Sequence, residues 1–177
     1  VKKLSASELN RLNLAEFRHA RKHPVAIVLD NVRSMFNIGS VFRTADAFLV
    51  EHLHLCGITA TPPNKEIHKT ALGATESVQW TYYPHTTDCL QRLKSDDYLI
   101  CAVELTDQSI PLETWIPEIN RKIAFIFGNE VNGISDEVLA LADLAVGIPQ
   151  FGTKHSLNIS VCAGIVIHHC LLVKNSP

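Results

Sequence analysis

Two runs are apolar at nearly every position: Val25-Ala26-Ile27-Val28-Leu29, closed by Asp30, and Lys122–Phe127, closed by Gly128. A strand with one wet face alternates polar and apolar residues; a continuous apolar run has to be covered on both faces, as in a parallel sheet whose crossovers are helices. Four further short runs read as strands: His52–Cys56, Val78–Tyr82, Tyr98–Val103 and Leu144–Ile148. Between them lie helical patterns. Asn37 is positioned to cap a helix with a core face of Ile38, Val41, Phe42, Ala45 and Phe48; Thr87 opens another through Lys94, Ser135 a short one through Ala142, and an apolar helix runs from Leu157 to Val173. The alternation predicts an α/β fold, a parallel β-sheet flanked by helices. Residues 59–77, with Pro62-Pro63, and 104–121, with Pro111 and Pro117, read as irregular connections, the first with one helical turn near Lys69–Leu72.

The chain has 177 residues, 46% hydrophobic and 19% charged, which suits one globular domain. No apolar run is long enough for a membrane span, and the first residues lack the apolar centre of a secretory signal, so a cytoplasmic protein is expected. The five cysteines are odd in number and include no CxxC pair, so buried thiols are expected in place of disulfides or zinc, and the scattered histidines suggest no metal. Residues 1–24 carry a balance of +4 against −6 for the remainder. Ser5-Ala6-Ser7-Glu8 has capping-box spacing, and Leu9, Leu12, Phe17 and Ala20 recur helically up to Pro24. The expected organisation is therefore a basic helical extension over 1–24 and one domain over 25–177. Such an arm steers a polyanion or is simply a solvated helix.

In open α/β sheets ligands bind at the carboxyl ends of strands, where the unusual residues of this chain lie. None of its eight glycines form a GxG pair, which removes the usual basis for a dinucleotide enzyme. The segment Gly128-Asn129-Glu130-Val131-Asn132-Gly133-Ile134-Ser135 has the glycine spacing of a phosphate-binding loop, but Ile134 stands where that loop needs lysine, and Glu130 would repel phosphate.

Three segments remain: Asn37-Ile38-Gly39-Ser40-Val41-Phe42-Arg43-Thr44-Ala45-Asp46, Phe127–Ile134, and Ile148-Pro149-Gln150-Phe151-Gly152-Thr153-Lys154-His155-Ser156-Leu157-Asn158-Ile159-Ser160. In order and separation they resemble the three motifs of the SpoU/TrmH family of the SPOUT methyltransferases, over about Val25 to Leu172. The resemblance implies a C-terminal deep trefoil knot, a homodimer and S-adenosylmethionine held in the knot. It implies cofactor walls at Val103, Glu104 and Leu105, at Gly128, Asn129 and Glu130, at Ile148, Pro149 and Gln150, and at Ser156 and Leu157. Many relatives also carry an N-terminal RNA-binding domain, in place of which this chain shows only the basic arm.

The activity implied is methyl transfer to a ribose 2′-hydroxyl of tRNA or rRNA, with Arg43, Asn37, Glu130, Ser156 and Asn158 as the catalytic set. Arginine, with a pKa above about 12, is an awkward base, and its plainer role is to clamp phosphate and stabilise developing negative charge. Asn37, Ser156 and Asn158 also suit helix capping, and Glu130 suits orienting a neighbouring amide or guanidinium. His155 matches no family position and is assigned no role; Lys154 is a phosphate contact only. Methylation of an RNA base, and an RNA-binding or assembly protein of the same fold without turnover, remain alternatives.

Overall fold

The computed structural model describes residues 1–5, 7–118 and 120–174. Ala6 of the expected capping box and the last three residues of the expected 25–177 unit lie outside the described residues. Seven strands form one sheet: β1 (His23–Asp30), β2 (Val50–Cys56), β3 (Trp80–Tyr83), β4 (Leu99–Val103), β5 (Ile110–Pro111), β6 (Ile123–Phe127) and β7 (Leu144–Gly147). Their spatial order is β3-β2-β1-β6-β4-β7-β5, and every neighbouring pair is parallel. The helices are α1 (Leu14–His19), α2 (Met35–Ala47), α3 (Lys65–Ala71), α4 (Ala74–Ser77), α5 (Thr86–Ser95), α6 (Asp136–Leu139) and α7 (Ile159–Lys174).

The central strands are buried on both faces, and the two-residue period sorts their side chains. Val25, Ile27 and Leu29 of β1 join Phe125 and Phe127 of β6 in the larger core, with Val41 and Phe42 of α2 and Val166 and Ile167 of α7. Ala26 and Val28 point the other way, with Ala124 and Ile126, towards Leu90 and Leu93 of α5 and Val138 of α6. Burial of each large apolar side chain contributes about 1.5–3 kcal/mol, so the ends of β1 and β6 are firmly held.

Several sequence expectations are corrected. The N-terminal segment is two short pieces, a 3-10 turn at Ser7–Leu9 and α1. Glu8 does accept the Ser5 amide at 2.7 Å, but Asn10 turns to a positive φ of 46°, and a second capping box, Asn13 with Glu16, restarts the helix. Only Phe17 of α1 is buried. The stretch 59–77 holds α3 and α4 where one turn was expected; Asn64 caps α3 through the amides of Glu66 and Ile67. That helix crosses α2 closely enough that a Cβ on Gly39 would stand 2.1 Å from the Thr70 hydroxyl, so only glycine fits there. The stretch 104–121 contributes β5 and a 3-10 turn at Leu112–Thr114; β5 is an edge strand, where a proline without N–H is tolerated.

The cap of α2 is Ser34, whose Oγ accepts the Asn37 amide at 3.3 Å. This frees the Asn37 side chain for other partners. Among the described residues no helix is long and apolar enough to cross a membrane, and no group of three or more His, Cys, Asp or Glu side chains is arranged to hold a metal. All five cysteines are free, with Cys162 alone half-buried.

Candidate active site

A cavity of about 650 Å³ opens at the carboxyl ends of β4, β6 and β7. Of the expected cofactor walls, Val103, Glu104, Leu105, Gly128, Asn129, Glu130, Ile148, Gln150, Ser156 and Leu157 line it. Pro149 is not a lining residue, although its neighbours Ile148 and Gln150 are. Sequence reasoning missed Thr106, Ile134, His155, Ile159 and Cys162, which also line it. An apolar residue before a strand or helix end carries no mark of a ligand, whereas His155, beside Ser156, was within reach of the motif argument.

The lining has a definite character. Phe127, Ile134, Val146, Ile148 and Leu157 offer apolar surface, Glu104 and Glu130 supply carboxylates, and among the described residues no lysine or arginine lines the cavity. It suits a ligand with a flat apolar part and positive charge, and it disfavours a polyphosphate. Its floor is backbone: a Cβ on Gly128 would lie 2.3–2.5 Å from the Gly133 and Ile134 main chain. Asn129 shapes the same turn, its Oδ1 accepting the Val131 amide at 2.9 Å and its Nδ2 donating to the Asn31 carbonyl at 2.7 Å.

At the cavity rim the three motifs meet through side chains. The Asn37 amide donates to Glu130 Oε1 at 3.1 Å, and the Asn158 amide donates to Asn37 Oδ1 at 3.0 Å. Glu130 also accepts the backbone amides of Arg33 at 2.9 Å and Ser34 at 3.0 Å. Burial alone would raise the Glu130 pKa; the amides of Arg33 and Ser34, its own amide and Asn37 together hold the carboxyl below the usual range. Asn158 caps α7 as well, its Oδ1 accepting the Ser160 amide at 2.9 Å and the Ser160 hydroxyl at 2.7 Å. Each carbonyl or carboxylate oxygen in this chain has a donor, so the amide orientations are fixed.

Ser156 and Leu157 are exposed at the cavity mouth. Arg43 is exposed on α2 and does not line the cavity. Six residues beyond Asn37, it lies about 9 Å further along the helix and about 120° around it. Among the described residues no hydrogen bond or ion pair engages its guanidinium.

Fold and site together define a parallel α/β protein with a ligand cavity at the carboxyl ends of its strands. The chain belongs to the SpoU rRNA methylase family, whose sequence model matches residues 24–168. It is 34% identical over 152 residues to the tRNA (guanosine(18)-2'-O)-methyltransferase of Borreliella burgdorferi, covering 86% of this chain and 68% of that one. Among solved structures, the A. aeolicus TrmH/SpoU tRNA modifying enzyme superimposes with a TM-score of 0.80 at 25% identity, over 91% of this chain and 80% of that one. The AdoMet-bound rRNA methyltransferase of Sinorhizobium meliloti gives a TM-score of 0.77 at 26% identity, over 86% of this chain and 58% of that one.

Proposed function

We propose that this chain transfers the methyl group of S-adenosylmethionine to a ribose 2′-hydroxyl of tRNA or rRNA. The observation that carries the reading is the Glu130–Asn37–Asn158 chain, which ties three distant motifs to the rim of one acidic, partly apolar cavity. The residues present fit the donor: apolar side chains for adenine, backbone edges at Gly128 and Ile148, and carboxylates beside a cation. When bound, the donor supplies an electrophilic methyl on a positively charged sulfur.

The chain's own part is to position and to balance charge. A ribose hydroxyl is a weak nucleophile until its proton is shared, and in-line placement accounts for much of the rate. The hydrogen-bonded Asn37 and Asn158 present fixed amides, and Ser156 a hydroxyl, to a ribose at the mouth. The unengaged Arg43 clamps the adjoining phosphate and stabilises negative charge developing on the oxygen.

Four further elements belong to this reading. A deep trefoil knot of the C-terminal segment belongs to it, supported by the Asn158–Asn37 bond between the residue that opens α7 and α2. Val161, Ile165 and Leu172 stay exposed along α7, an apolar stripe suited to an isologous homodimer. Arg11 and Arg21 are exposed in residues 1–24, suited to recruiting RNA to the 25–177 domain. A cytoplasmic location accords with RNA modification.

The test is incubation of tRNA and rRNA fractions from a strain lacking the gene with purified protein and labelled donor, then mapping of the label. Label at a ribose 2′-oxygen is the expected result. Label on a base would favour base methylation, and no label with retained RNA binding would favour the assembly protein.

A further inference from the structure

The methyl donor and its spent product differ by one charge, a sulfonium in the donor and a neutral thioether in S-adenosylhomocysteine. We propose that Glu104 sets this cavity's preference for the cationic donor over the neutral product. The inference rests on the donor assignment above.

Glu104 follows β4 and lines the cavity half-buried. Its Oε1 accepts the Leu105 amide at 3.1 Å and its Oε2 the Ile134 amide at 3.3 Å. A carboxylate has about four acceptor positions, so roughly half remain open. Among the described residues no lysine, arginine or histidine pairs with it, and no lysine or arginine lines the cavity, where His155 is the one other titratable nitrogen side chain. The other carboxylate is different: Glu130 spends its oxygens on the amides of Arg33 and Ser34 and on Asn37. A partly buried carboxylate with no counter-charge is unfavourable unless a ligand provides one.

Two observations fix where Glu104 acts. Its Oε2 lies against the main chain of the floor, since a Cβ on Gly133 would come within 2.4 Å of it. Its field also crosses the cavity: the Cys162 thiol is pushed up to about 11, by burial first and by the negative charge of Glu104 second. A charge that discourages an anion at Cys162 favours a cation in the same space.

Calorimetric titration of the full chain and its Glu104→Gln variant tests this with three ligands: S-adenosylmethionine, S-adenosylhomocysteine and sinefungin, which carries an amine in place of the sulfonium. Gln keeps the size of the side chain and an oxygen acceptor. The expected result is about ten-fold weaker binding of the two cationic ligands, which corresponds to about 1.4 kcal/mol, with the product's affinity changed less than two-fold. Glu104→Asp, which keeps the charge, should retain most of the preference. Equal weakening of all three ligands would overturn the inference and make Glu104 an anchor for groups they share, such as the ribose hydroxyls or the amino group. Unchanged binding of all three would overturn it too. If the unaltered chain bound none of them, the donor assignment itself would fall.

Discussion

Asn37 and Asn158, 121 residues apart, are joined by a single hydrogen bond of 3.0 Å, and each has a second duty: Asn37 holds Glu130 and Asn158 caps α7. The bond therefore couples the first helix after β1 to the last helix of the chain. The two duties can be separated by substitution. Asn158→Ser keeps a capping oxygen but cannot reach Asn37, whereas Asn158→Ala loses both. Asn158→Ala should destabilise the protein by about 1–2 kcal/mol, and Asn158→Ser by less. Both should lower methyl transfer similarly, because both break the bond to Asn37. Urea unfolding beside single-turnover rates would show it; a Ser variant with normal turnover would make the bond purely structural.

What could be read from the chain beforehand follows from where information is local. β1 and β6 were legible because burial on both faces demands a continuous apolar run. The motif residues were legible as a set because each follows a strand end. The capping by Ser34 was not, since Asn37 is an equally good capping residue three positions on, and only the hydrogen bonds decide. The contribution of Arg33 and Ser34 to Glu130 runs through backbone amides, which carry no residue identity. α3 was read only as one turn near Lys69–Leu72 because its core face is just Ile67 and Ala71, too few for a visible period. The N-terminal helix was over-extended by taking Leu9 and Leu12 into one helical period with Phe17 and Ala20, whereas both leucines are exposed.

Gly128 tests the backbone floor. Gly128→Ala introduces a methyl group within 2.3–2.5 Å of main-chain atoms at Gly133 and Ile134, which cannot move aside as a side chain can. The loop must shift, and with it the Asn129–Gly133 pairing at 3.0 and 2.9 Å. Cofactor affinity should fall at least ten-fold, while Gly152→Ala, which has open space around it, should leave affinity unchanged. Calorimetry on both variants checks the contrast.

His54 predicts an acid sensitivity unrelated to catalysis. It is 8% exposed, stacks on His52 at 4.5 Å, and its Nδ1 has no hydrogen-bond partner. Burial first, and the nearby His52 second, depress its pKa from 6.5 to about 3. The unfolded chain therefore binds a proton that the folded chain refuses between those values. The stability associated with His54 is present above pH 6.5 and is lost as pH falls towards 3. From pH 7.5 to 5 the loss should be up to about 2 kcal/mol, at 1.36 kcal/mol per pH unit. In His54→Phe, which keeps a ring against His52 and Tyr83, the difference between unfolding free energies at the two pH values should shrink by that amount. An unchanged difference would assign the sensitivity to other groups.

Arg43 and Leu157 separate chemistry from cofactor binding. Arg43 stands outside the cavity with no partner among the described residues, whereas Leu157 lines the cavity and is 37% exposed at its mouth. Arg43→Ala removes no wall, so S-adenosylmethionine affinity should stay within a few-fold. Turnover should fall by on the order of a hundred-fold or more, the scale seen when a preorganised charge-stabilising donor is lost. Arg43→Lys should recover little, because a point charge does not reproduce the planar fork at a phosphate. Leu157→Trp should show the reverse order, since an indole at this position fills space the donor needs and abolishes binding before any effect on the chemical step can be read. Calorimetry and single-turnover methylation of the mapped RNA measure both quantities on both variants. Near-normal turnover in Arg43→Ala would remove Arg43 from the catalytic set and shift weight to the RNA-binding reading without turnover. Normal donor affinity in Leu157→Trp would instead move the adenosine site away from the loop before α7.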